Sequence, residues 1–156
     1  MKKENILKTI CGLVAALFFY AALSKLTDYD KSVGEMRNQI FSATIANALT
    51  WLIPTIEIML TLLLLFPNTR KIALWASLLL LTAFTLYIAI VMTGVFGRIP
   101  CSCGGILKNM GYGMHLIFNL FFVLLALLGL AIENGWILYN RFFNLKKRKD
   151  RLQNSG

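Results

Sequence analysis

Metal ligands and acids are scarce in this chain. It has one histidine, His115, and three cysteines, Cys11, Cys101 and Cys103, so a saturated zinc site cannot be completed within it. Only 15% of its residues are charged, and no internal repeat or low-complexity segment breaks the pattern. Seven acidic residues against 16 basic ones leave a net charge of +9, which invites a nucleic-acid reading. That reading fails on placement. The basic cluster Lys146-Lys147-Arg148-Lys149 closely follows the last apolar run, with no aromatic interleaving and no nucleic-acid module beside it. Such a cluster is a topology signal and a partner for anionic headgroups, and no nucleic-acid partner is expected.

What the chain does have is apolar length. Hydrophobic residues make up 58% of it and the mean hydropathy is +0.68, more apolar surface than a soluble core of 156 residues buries. The charges gather between four runs of spanning length, at about residues 6–26, 45–66, 72–96 and 114–132. The last run continues interfacially through Trp136 and Tyr139 to Arg141 and a basic tail over residues 140–156. The runs are too long and too unalternating for barrel strands, and helices satisfy their backbone groups internally in lipid. The expected fold is all-α: a single integral membrane domain over residues 1–156, built as a four-helix bundle. The tight Pro67–Lys71 connection makes the second and third spans antiparallel neighbours. Lys8 and Lys25, bracketing the first span, are placed to snorkel to the two interfaces.

Orientation follows from the basic residues. With four spans, the N-terminus, the second connection and the tail share one side and carry eleven of the 16: Lys2, Lys3, Lys8, Arg70, Lys71, Arg141, the four of the cluster and Arg151. Lys25, Lys31, Arg37, Arg98 and Lys108 fall on the other side. The positive-inside rule then makes both termini cytoplasmic and turns the Cys101–Cys103 loop outward, where disulfides persist. Lys2, Lys3 and the apolar run up to Ala21-Ala22 also imitate a cleavable signal peptide, but the run passes directly into Ser24-Lys25-Leu26, and an uncleaved first helix is the expectation.

Cys101-Ser102-Cys103-Gly104-Gly105 carries the best candidate chemistry. A disulfide between Cys101 and Cys103 closes a small, strained ring, and strained, exposed disulfides are labile and oxidising. Gly104 and Gly105 leave the backbone open to a docking thiol, and Pro100 ends the preceding helix. Arg98 and Lys108 favour thiolate over thiol. Two blander readings stand beside this one: an unpaired or purely structural pair, and a Cu(I) site of two thiolates aided by His115. Cys11, near the start of the first span, is read as a small packing residue a bilayer away from that pair.

Glu57 is the second signal. It falls near the middle of the second span, where an ionised carboxylate is neutralised, paired or functional, and Pro54 one turn earlier removes a helix hydrogen bond. Thr85, Tyr87 and Tyr20 are candidate partners; a proton relay and a quinone-site acid are alternatives to a structural bond. Near the outer face, Lys25, Asn47, Thr50, His115 and Asn119 fall at comparable depth. His115 and Asn119, four apart, share a helix face and with the cysteine loop could line an outward pocket, His115 serving as proton donor or acceptor.

Ser24-Lys25-Leu26 closing the first span, Pro54-x-x-Glu57 in the second, and Gly97-Arg98-x-x-Cys101-x-Cys103-Gly104 between the third and fourth together resemble the MauE/DoxX group of redox-associated membrane proteins. The loop is closest to the Cys-x-Cys-Gly-Gly pattern of the MauE branch. The resemblance implies a multi-pass protein of the bacterial inner membrane that helps a thioredoxin-like periplasmic partner manage disulfides in exported proteins. It also implies Cys101 and Cys103 as the redox pair, with Glu57 and Lys25 in support. No cofactor is fixed by the residues, although a quinone would suit such a protein as electron acceptor. Lacking a second, shuttle pair, the chain differs from self-contained disulfide generators and needs a partner's thiols. The alternatives are a membrane assembly scaffold with a static Cys-x-Cys clip, and a small transporter or metal handler built around Glu57 and His115.

Overall fold

A computed structural model describes residues 2–39, 42–95 and 112–153, with side chains described over 3–39, 42–95 and 113–135. Five helices follow in order: α1 (Lys2–Thr27), α2 (Tyr29–Arg37), α3 (Ala43–Leu65), α4 (Arg70–Met92) and α5 (Tyr112–Gln153). Four of them hold stretches long and apolar enough to cross a membrane, over Lys3–Thr27, Ala43–Leu65, Arg70–Met92 and Gly113–Gly135. The protein is therefore an all-α, four-helix membrane bundle, with α2 as an added element in the first connection.

Chain chemistry sets the helix ends. Phe66, which precedes Pro67, sits in an extended conformation (φ −96°, ψ 128°) because the proline ring disfavours a helical residue before it, and α3 stops there. Thr69 turns the chain into α4, its hydroxyl donating to Leu63 O at 2.7 Å. At the other end α4 stops at Met92, short of the residue 96 expected from hydropathy, because Gly94 takes a positive φ of 73° and its N–H turns back to Val91 O at 3.1 Å. Pro100 is thus not what ends this helix. The fourth span also runs on as one unbroken helix of 42 residues into the basic tail.

The spans alternate in direction. α1 packs most extensively on α3 and α4 on α5, and α1–α5 and α3–α4 contacts close the ring. One end, here the Lys3 end, gathers the start of α1, the end of α3, the start of α4 and the close of the fourth span. The Lys25 end gathers the end of α1, the start of α3, the end of α4 and the start of α5. Each spanning helix presents one stripe inward, such as Ala46, Thr50, Pro54, Glu57, Leu60, Thr61 and Leu64 on α3, spaced three and four apart. Leu7, Cys11, Val14, Ala15, Phe18, Leu60, Leu64, Leu74, Leu81 and Leu130 form the core. Since lipid is as apolar as leucine, van der Waals fit and polar contacts hold these helices together.

Gly129 lets α5 approach α1 and α4 closely. A Cβ there would meet Ile10 Cγ2 at 3.1 Å and Leu74 Cδ2 at 3.3 Å. Gly129→Leu is expected to overpack this junction and cost about 1–3 kcal/mol, measured as lowered resistance to denaturant in detergent.

Cys11 is a free cysteine, 3% exposed and inside the core, as its reading as a packing residue requires. In a Cys101→Ser/Cys103→Ser background, a maleimide should leave Cys11 unlabelled in the folded protein and label it fully after denaturation. Rapid labelling in the native state would contradict the packing.

Candidate functional site

The polar residues of the inward stripes collect where the apolar pattern does not predict them. At the Lys25 end, Glu57 of α3 is 1% exposed, and Lys25 of α1 donates from Nζ to both of its carboxylate oxygens, at 2.8 Å to Oε1 and 3.0 Å to Oε2. The same Nζ lies 3.3 Å from Ala21 O, so the side chain folds back along its own helix, into the bundle. This corrects the expectation that Lys25 snorkels to the interface. A helical Cα–Cβ bond tilts toward the N-terminus, so a lysine at the end of α1 points inward, and a buried carboxylate is a stronger partner there than lipid headgroups are. Lys8 sits at the surface as expected, paired with Glu4 at 3.0 Å.

The partners expected for Glu57 on α4 are engaged elsewhere. Thr85 donates to Leu81 O at 2.7 Å, and Tyr87 donates to Gln39 Oε1 at 2.6 Å, tying α4 to the first connection. Asn47, expected beside His115, is exposed and accepts from Arg37 Nε at 3.0 Å, joining α3 to α2. The ring of Tyr29 packs on Trp51 at 5.0 Å between centroids, so α2 is held against the start of α3 from both ends. Ser32 Oγ donates to Lys25 O at 3.0 Å and seats α2 on the last turn of α1. Thr50 is buried, and its hydroxyl donates to Ala46 O of its own helix at 2.8 Å.

His115 and Asn119 do share an inward face of α5, 8% and 7% exposed. Neither side chain makes a hydrogen bond within the described residues. Between the middle of the bundle and the end where α4 leaves and α5 begins, the inward faces thus carry an ion pair, an imidazole and an amide, a polar floor in an otherwise apolar interior. Chemically it offers hydrogen-bond donors and acceptors and a fixed charge pair in a low-dielectric setting. A metal-binding role for Glu57 would first have to break both bonds to Lys25. Among the described residues no cluster of three or more His, Cys, Asp or Glu is placed to hold a metal ion. Arg98, Cys101, Cys103, Gly104, Gly105 and Lys108 lie outside the described residues.

A second ion pair was not anticipated. Arg70, the first residue of α4, donates from Nη2 to Glu133 Oε2 of α5 at 3.0 Å, with the two side chains 12% and 9% exposed. Each of the two most extensively packed helix pairs thus carries its own partly buried salt bridge, Lys25–Glu57 in α1–α3 and Arg70–Glu133 in α4–α5. The signal for the second was an acid just past the hydropathy boundary drawn at Ile132, opposite a basic residue opening the neighbouring span.

Comparison with curated proteins and with solved structures finds no match. The family described as Methylamine utilisation protein MauE matches residues 3–132, which takes in all four spans up to the last turn before Glu133. With that match covering most of the chain and four apolar helices packed as a bundle, the protein is a multi-pass membrane protein and belongs to the MauE family.

Proposed function

We propose that this MauE-family protein is a thiol–disulfide redox component of the inner membrane, in which Cys101 and Cys103 exchange disulfides with a thioredoxin-like partner on the periplasmic side and so support the maturation of exported proteins. The observation that carries this reading is the polar floor of Lys25–Glu57, His115 and Asn119, gathered toward the end of the bundle where the segment bearing the two cysteines joins α4 to α5. Thiol exchange moves protons as well as electrons, and groups able to give and take a proton are what it requires.

The step is a pair of substitutions at sulfur. A partner thiolate attacks one sulfur of the Cys101–Cys103 disulfide, forming a mixed disulfide and releasing the other cysteine as a thiolate. The partner's second thiolate then attacks the mixed disulfide, leaving the partner oxidised and Cys101 and Cys103 reduced; the reverse sequence reduces the partner. His115 is assigned the proton exchange with the departing thiolate, and Lys25–Glu57 holds the helices that frame it.

Thiol trapping in membranes tests this. Under mild reduction the Cys101–Cys103 pair is expected to shift from oxidised to reduced, read as a mobility change after alkylation with a bulky maleimide. A pair that stays oxidised under conditions that reduce thioredoxin-fold disulfides would be a static clip, and the protein an assembly scaffold.

A further inference from the structure

At the Lys3 end, away from the proposed redox site, an open cleft of about 160 Å³ lies between α1, α4 and α5, lined by Lys3, Glu4, Leu7, Arg70 and Ile132. We propose that it binds the phosphate diester of a membrane phospholipid, with Arg70 and Lys3 on the phosphate and an acyl chain against Leu7 and Ile132.

Three observations converge on this ligand. The first is unmet donor capacity. A guanidinium has five N–H donors, and in Arg70 Nη2 is committed to Glu133 while Nε is buried with no partner among the described residues. Lys3, on the cleft wall, makes no ion pair within the described residues, whereas the acid on that wall, Glu4, is already bonded to Lys8 at 3.0 Å. The unmatched charge of the cleft is therefore positive.

The second observation is depth. Lys3 and Arg70 are the first residues of two membrane-crossing stretches, and Ile132 is close to the end of a third, which sets the cleft at the level of the headgroups. The third is the mixed lining. Leu7 and Ile132 place an apolar wall beside the two cations, a combination that suits a phosphate with an attached chain better than a free anion. A basic residue that already holds a neighbouring helix through one arm of its fork would then hold a lipid through the other, so the α4–α5 pair and the lipid would stabilise each other.

The test uses the full-length protein in a neutral detergent with added phosphatidylglycerol, read by retained lipid in native mass spectrometry and by the shift in melting temperature. The parent is expected to retain phospholipid and to melt higher as phosphatidylglycerol is added. Lys3→Gln and Arg70→Lys, the latter keeping a charge for Glu133, should each weaken lipid binding about tenfold, the loss of one charge-assisted hydrogen bond. Lys71→Gln removes a like charge beside the cleft without touching its wall and should leave binding unchanged. Three results would overturn the proposal: no retained lipid and no shift, equal stabilisation by inorganic phosphate, or a loss in Lys71→Gln matching that in Lys3→Gln. Should Arg70→Lys fail to fold, the comparison of Lys3→Gln with Lys71→Gln decides alone. None of these measurements involves the cysteines, so the outcome is independent of the redox reading.

Discussion

Glu57→Gln, with Lys25 left in place, is expected to cost the bundle about 3 kcal/mol, because it removes the carboxylate from an ammonium that is only 20% exposed. Lys25→Met should cost a similar amount, since it strands a carboxylate that is 1% exposed. The double variant Lys25→Met/Glu57→Met is the informative one. Removing both charges and filling the space with side chains of similar volume should restore stability to the parent level or above it, because the pair's mutual attraction does little more than offset the desolvation of two ions. Denaturation in detergent, compared across the four proteins, gives the coupling directly. Additive losses in the double variant would show that the 2.8 Å contact does not govern the stability of the α1–α3 pair.

That contact also shows where sequence reading stops. The spans were legible because apolar length is a property of the chain alone, and their limits fall close to the helices found. Their inward faces were partly legible: Glu57 had to be neutralised, paired or functional, and His115 with Asn119 had to share a side of α5. The partner of Glu57 was not, since it depends on how deeply and at what rotation α1 sits against α3. The backward tilt of helical side chains was the available clue, and it favours Lys25 pointing inward. Glu133 was missed because hydropathy closed the last run one residue before it, and without Glu133 there was no reason to look inward from Arg70. The short α2 was missed because Asp30, Lys31, Glu35 and Arg37 crowd its nine residues and read as a polar connection. Its placement comes from contacts distant in sequence, Tyr29 with Trp51, Arg37 with Asn47 and Gln39 with Tyr87. The end of α4 turned on one residue, Gly94, whose positive φ stops the helix while the apolar run continues.

The other large effect concerns the cysteines. Cys101→Ser and Cys103→Ser should each abolish thiol exchange completely, since a single cysteine cannot form the disulfide that a reduced partner attacks and, in the reverse direction, can enter a mixed disulfide with an oxidised partner but cannot resolve it. The two variants should fail differently. The one that keeps the attacked cysteine should accumulate a covalent complex with its partner, and the one that loses it should accumulate none, which assigns the two roles. Stability should change little in either, in contrast to Glu57→Gln, so loss of exchange in a folded protein separates the chemistry from the scaffold. His115→Gln belongs between these extremes, with the fold kept and the rate of exchange reduced about 10²–10⁴-fold, the usual contribution of a positioned acid or base.

The most direct test of the redox account is a trap in cells that make the single serine variants, followed by a non-reducing gel and identification of any covalent adduct. The account predicts that one variant yields a reductant-sensitive complex with a thioredoxin-fold protein and that the double serine variant yields none and leaves exported disulfides immature. Full maturation of exported disulfides by the double serine variant would contradict it.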